Sequence, residues 1–155
     1  MKPCTFLLIL LTASFLSACS SSEKPSASGP APALTARASN EGKTLINPVP
    51  ATPQSISSGK KLFDKLCVEC HGEKGDGVSA VAAAMPEGEV KPSNLTDDQW
   101  DHGSTDGDIF VVIRDGSGGS APMKGLNGRP GVGPTEMWNL VNYIRTLKAA
   151  RGTGN

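Results

Sequence analysis

Apolar residues are distributed unevenly along the chain, and each arrangement predicts a different element. After Met1-Lys2-Pro3, the stretch Phe6 to Leu16 is almost continuously apolar. It is too short to span a bilayer and has the layout of a secretory signal. Residues 20–55 are rich in Ser, Ala and Pro and show no apolar period, so they are expected to form a disordered or partly polyproline tether. As a flexible coil, roughly 36 residues reach roughly 30–36 Å. From Ile56 the pattern becomes helical. Leu62, Phe63 and Leu66 lead into Cys67, with Ser57 or Ser58 as the cap. Val78 to Met85 predicts a short alanine-rich helix stopped by Pro86. Thr96-Asp97-Asp98-Gln99 has the capping-box pattern, which predicts a one- or two-turn helix carrying Trp100. The run Ile109 to Val111, Val112 and Ile113 could by itself be a buried strand. Thr105-Asp106-Gly107-Asp108 before it and Gly116 behind it favour a helix. Met137, Leu140, Val141, Ile144 and Leu147 form one stripe of an amphipathic helix that opens near Pro134-Thr135. Nothing reads as a paired sheet, so the expected class is all-α.

At 155 residues the chain has room for one domain. The division expected is a leader over 1–18, a tether over 19–55, a globular domain over 56–150 and a flexible tail over 151–155. Basic and acidic residues balance at 15 each, and no basic run exceeds two residues. That argues against a nucleic-acid partner and against a strongly basic docking face. Leu16-Ser17-Ala18-Cys19 resembles the lipobox of bacterial lipoproteins, in which the cysteine becomes the lipidated first residue. The alternative is ordinary cleavage near Ala18, which would leave Cys19 as a free thiol. Lipidation of Cys19 would tie the domain to a bacterial membrane, with the domain in the periplasm or on the outer side.

The chemistry concentrates at Cys67-Val68-Glu69-Cys70-His71. The run C-x-x-C-H reads as a covalent c-type haem attachment site. Two thiols at i and i+3 can each form a thioether to one vinyl group, and the histidine that follows supplies the proximal nitrogen. Two other readings use the same residues. A thioredoxin-like redox pair needs no histidine and expects a βαβ setting. A structural zinc site could draw on Cys67, Cys70, His71 and His102. The cysteine inventory favours haem, because Cys4 leaves with the leader, Cys19 takes lipid, and no thiol remains for a disulfide. The glycine-rich loop Gly72 to Gly77 has no strand before it, so it is not read as a phosphate loop.

From about Ser57 to Lys148 the sequence resembles the class I c-type cytochromes, the family of mitochondrial cytochrome c. The haem motif is the most specific element. Gly59 and Phe63 stand eight and four residues before Cys67, as the family's glycine and aromatic do, and Leu140 and Tyr143 match the L-x-x-Y of its last helix. The resemblance implies three to five short helices around one haem c, with the N- and C-terminal helices crossed. It also implies a sixth iron ligand from the far side of the porphyrin. Met123, in Ala121-Pro122-Met123-Lys124-Gly125, lies in an irregular loop before the last helix, where the family places its methionine. Met137 belongs to a packing stripe, and Met85 follows the haem motif too closely. His102 is the competing ligand. Pro92-Ser93-Asn94-Leu95 resembles the family segment whose backbone carbonyl holds the proximal histidine, and either Pro92 or Ser93 could give that carbonyl. Leu95 would pack on the ring, and Trp100 would either reach a propionate or be buried.

Histidine–methionine ligation implies a one-electron carrier and not an enzyme. Its expected partners are a dehydrogenase or quinol-oxidising complex on one side and an acceptor such as a terminal oxidase or reductase on the other. Two further readings stay open. One is a haem subunit of a larger oxidoreductase. The other is a peroxidase or gas sensor with a labile sixth ligand.

Overall fold

The computed structural model describes residues 40–118 and 123–152, with the backbone alone for 149–152. The leader over 1–18, Cys19, the tether as far as 39, residues 119–122 and the tail from 153 lie outside the described residues. A helical turn at 40–42 is followed by five helices: α1 (Pro53–Leu66), α2 (Val68–His71), α3 (Ala80–Ala84), α4 (Asp106–Asp115) and α5 (Pro134–Gly152). The pairing seen outside helices among the described residues is an isolated antiparallel bridge between Gly116 and Lys124. The all-α expectation is met. Residues 151 and 152, assigned to the tail from sequence, are the last of α5.

The core is the crossing of α1 and α5, the most extensive helix contact. Gly59 makes the approach possible, since a Cβ there would lie 2.0 Å from the carbonyl oxygen of Asn139. Phe63 fills the adjacent hole, fully buried, and meets Tyr143 edge-on with ring centroids 5.2 Å apart. The predicted stripe of α5 is buried along its whole length. Helix α4 closes the third side with Ile109, Phe110, Val111 and Ile113, and Phe110 stacks on Trp138 at 4.0 Å. Thr105 and Asp108 form the capping box of α4: the Thr105 Oγ1 accepts from Asp108 N–H, and Asp108 Oδ2 accepts from Thr105 N–H. No helix among the described residues is long and apolar enough to cross a membrane.

Three boundaries differ from expectation. Helix α1 opens at Pro53, not at Ser57 or Ser58, because Thr52 supplies the cap and proline suits the first helical position. Thr96 to Gln99 form turns and no helix. Asn94 Oδ1 takes both the amide and the hydroxyl of Thr96, and Asp97 Oδ1 takes the amide of Gln99. These side-chain bonds offer the backbone an alternative to helical pairing. The third difference is the tether, which does not extend to residue 55. Leu45 and Val49 pack on the core, and Asn47 Nδ2 donates to Asn142 Oδ1 at 2.8 Å. Buried Asn142 in turn donates to Ser55 Oγ at 2.7 Å and to the Val49 carbonyl at 3.0 Å. Residues 40–52 thus form a strap fastened across α4 and α5, held mainly by polar bonds to residues far away in sequence.

Candidate functional site

The site is built at the junction of α1 and α2. Cys67 ends the first helix, donating its amide to the Phe63 carbonyl at 2.8 Å, and caps the second. Its own carbonyl receives the amides of Cys70 and His71 at 3.1 and 2.8 Å. One tight turn therefore sets both thiols three residues apart on a common side. Neither cysteine is in a disulfide; Cys67 is half-buried and Cys70 exposed. Burial, followed by the neighbouring Cys70, pushes the Cys67 thiol up to about 12.

His71 is oriented by one bond. Its Nδ1 lies 2.9 Å from the carbonyl oxygen of Ser93, 22 residues on. A carbonyl can only accept, so Nδ1 carries the proton and Nε2 holds the lone pair. Burial lowers the pKa of the ring and the Ser93 carbonyl opposes this less strongly. A neutral imidazole with Nε2 as its free base is the form that binds a metal. Of the two carbonyls open in the sequence, the structure places Ser93 on the histidine. Ser93 is itself held by its hydroxyl, which donates to Asp101 Oδ2 at 3.0 Å. Pro92 packs its carbonyl beside Gly77 instead.

The loop after His71 folds back on the motif. Gly77 N–H donates to the His71 carbonyl, Leu95 N–H to the Gly75 carbonyl, and the Ser79 hydroxyl to the Cys70 carbonyl at 2.9, 2.7 and 2.9 Å. Leu66, Val68, Leu95 and Trp100 touch the core yet remain only partly covered. Trp100 also lies under the Arg145 guanidinium, 5.6 Å from its centroid, a placement accounted for by packing.

Met123 is half-buried on the loop after α4. Met137 is 3% exposed within the core, and Met85 ends α3. His102 is half-buried in a turn between Asp101 and Gly103. Among the described residues no three His, Cys, Asp or Glu side chains converge as a metal site, so the zinc arrangement with His102 finds no support. Nor do the described residues supply the βαβ setting of a thioredoxin-like pair. Two soft sulfurs, a pre-oriented imidazole and half-covered apolar side chains fit a covalently held porphyrin.

Residues 56–148 match the family model for cytochrome c, and the chain belongs to that family. It accordingly carries haem c, covalently bound, and a single matched domain corresponds to one haem. Over 99 residues the chain is 31% identical to the cbb3-type cytochrome c oxidase subunit CcoP of Rubrivivax gelatinosus, a match covering 63% of this chain and 28% of that protein. It is likewise 31% identical over 91 residues to subunit FixP of the same oxidase type from Bradyrhizobium sp. (strain ORS 278), covering 59% and 27%. A chain of the reducing HAO-like protein complex of Kuenenia stuttgartiensis superposes with a TM-score of 0.56 at 26% identity, covering 66% of this chain and 49% of that one. The match thus spans less than a third of the length of either curated relative.

Sequence reasoning missed several residues that shape the site's surroundings. Arg145 donates to Asp106 Oδ1 and to the Ser104 carbonyl at 2.6 and 2.7 Å, bracing the start of α4. Asn142, a buried polar residue between Val141 and Tyr143 on α5, holds the strap through Asn47 and Val49. Glu41, whose carboxylate accepts from the Arg114 guanidinium at 2.7 and 3.0 Å, gave no signal in the sequence.

Proposed function

We propose that this protein is an exported, lipid-anchored one-electron carrier. In this reading Cys67 and Cys70 form the thioethers, His71 is the proximal ligand and Met123 the sixth ligand, with Ser93 positioning the histidine and Leu95 and Trp100 lining the ring. The observation that carries it is the His71 ring, tied through Nδ1 to Ser93 directly after two thiols on one helical turn. When bound, the haem supplies the ferric–ferrous couple. His71 and Met123 would hold its iron from the two faces, and a metal so held would exchange electrons with no open place for peroxide or dioxygen. Apolar side chains packed beside the group would exclude water and so would favour its less charged ferrous form. Cys19 bears the lipid, and the tether before the strap gives the domain reach toward a donor such as a dehydrogenase or quinol-oxidising complex and an acceptor such as a terminal oxidase or reductase. Such contacts are small and transient.

A second reading, a haem subunit fixed within a larger oxidoreductase, is favoured by the relatives, which are oxidase subunits and a member of a protein complex. The two are separated by extracting the membrane in mild detergent: a carrier elutes alone, a subunit with its enzyme. The haem assignment is tested by denaturation in acidified organic solvent. The porphyrin should stay on the wild-type chain and be released from a Cys67→Ser/Cys70→Ser variant; free extraction from the wild type would overturn the assignment.

A further inference from the structure

The loop that carries Met123 is fastened to the last turn of α4. Leu126 N–H donates to the Ile113 carbonyl at 2.9 Å and Asn127 N–H to the Arg114 carbonyl at 3.0 Å. Two carbonyls that a helix C-terminus leaves orphaned find their partners in this loop. Gly116 and Lys124 bridge its base, and Ser117 N–H reaches the Met123 carbonyl at 3.4 Å. Gly125 passes so close that a Cβ would sit 2.4 Å from the Arg114 carbonyl oxygen. Where the last turn of α4 stands therefore decides where Met123 stands.

That turn is gripped from the strap. Arg114 Nη1 and Nη2 donate to Glu41 Oε1 and Oε2 at 2.7 and 3.0 Å, a two-pronged charge-assisted pair across 73 residues of chain. The guanidinium is oriented further by its chain neighbour Asp115, at 2.9 and 2.7 Å. It also lies 5.7 Å from the centroid of the Phe110 ring. Gly42, the next residue of the strap, presses on the opposite end of α4. The Thr105 hydroxyl donates to its carbonyl at 3.3 Å, and a Cβ on Gly107 would lie 2.0 Å from the same oxygen. Gly107 and Arg114 are seven residues apart, on one face of the helix. Two consecutive strap residues thus hold both ends of α4.

We propose that Glu41 is a positioning residue for the axial methionine. By clamping Arg114 it keeps the last turn of α4 wound, and that turn holds the Met123 loop. This inference rests on the reading of Met123 as the sixth ligand. It makes the junction between tether and domain part of the apparatus that maintains the haem site.

The test uses full-length holoprotein in the ferric state, with imidazole as the probe and loss of the sulfur-to-iron charge-transfer band as the readout. Imidazole must wait for the methionine to leave, so its rate of entry reports how firmly the loop is held. Glu41→Gln and Arg114→Lys should each raise that rate about two- to fivefold, the effect within reach of a partly exposed ion pair, and the double variant should be no faster than either single one. Asp64→Asn, which removes the Lys60–Asp64 pair on α1, should leave the rate at the wild-type value. Wild-type rates in Glu41→Gln overturn the clamp, as does an equal rise in Asp64→Asn, which would signify general loosening. If the band is missing from the wild type or survives in Met123→Ala, the ligand assignment falls and the clamp with it. If the band depends on Met123 while Glu41→Gln has no effect, the clamp alone falls.

Discussion

Met123 and His102 differ in what their surroundings let them do. Met123 sits on a loop tied to α4 at its base, an arrangement that can aim a side chain at a metal. His102 sits in a short turn beside Asp101, whose carboxylate already holds Ser93. Met123→Ala should open the sixth position, abolish the sulfur-to-iron band, lower the reduction potential and introduce some peroxidase activity. Met123→His should stay low-spin with a lowered potential. His102→Ala should leave spectrum and potential unchanged, and the reverse pattern, read by absorbance and redox titration, would make His102 the ligand. The motif residues themselves were legible because C-x-x-C-H is a local pattern. The choice between Pro92 and Ser93 was not legible, because it depends on backbone angles over 22 residues that no local pattern encodes.

Helices were predictable wherever a local cap and an apolar period agreed, as in α4 with Thr105 and Asp108, and α5 with its buried stripe. Prediction failed where side chains competed with the backbone. At Thr96 to Gln99 the capping-box letters are present, yet Asn94 and Asp97 take the amides first. At the start of α1 the cap is Thr52 and neither Ser57 nor Ser58, since Pro53 suits the first helical position and Ser55 Oγ donates to Asn139 Oδ1 on α5 at 2.7 Å. The crossing of α1 and α5 carries its own prediction. Gly59→Val forces a branched side chain against the Asn139 carbonyl and should destabilise the holoprotein by about 1–3 kcal/mol or more. In a domain of this size each kcal/mol lowers the melting temperature by about 4–8 °C, measurable by calorimetry.

For the whole molecule, the strap places residues 40–52 within the domain, where the composition implied tether. Cys19→Ala should move the protein from the membrane fraction to the soluble fraction, or leave it unprocessed, while its haem spectrum stays intact; multiple acyl chains hold a membrane firmly where one does not. Retention in the membrane fraction after that substitution would refute the lipid anchor. The sequence by itself determined the helical class, the haem motif and the core stripe of α5, while the Gly59–Phe63 pairing with the last helix was implied by the family resemblance. Each of these is written in spacings of a few residues, which set helical faces and ligand order before any folding. Tertiary structure alone decided the strap, the Ser93 carbonyl on His71 and the Glu41–Arg114 grip on α4. These join residues 22 and 73 positions apart through polar bonds, and polar side chains form no periodic pattern that would announce their partners.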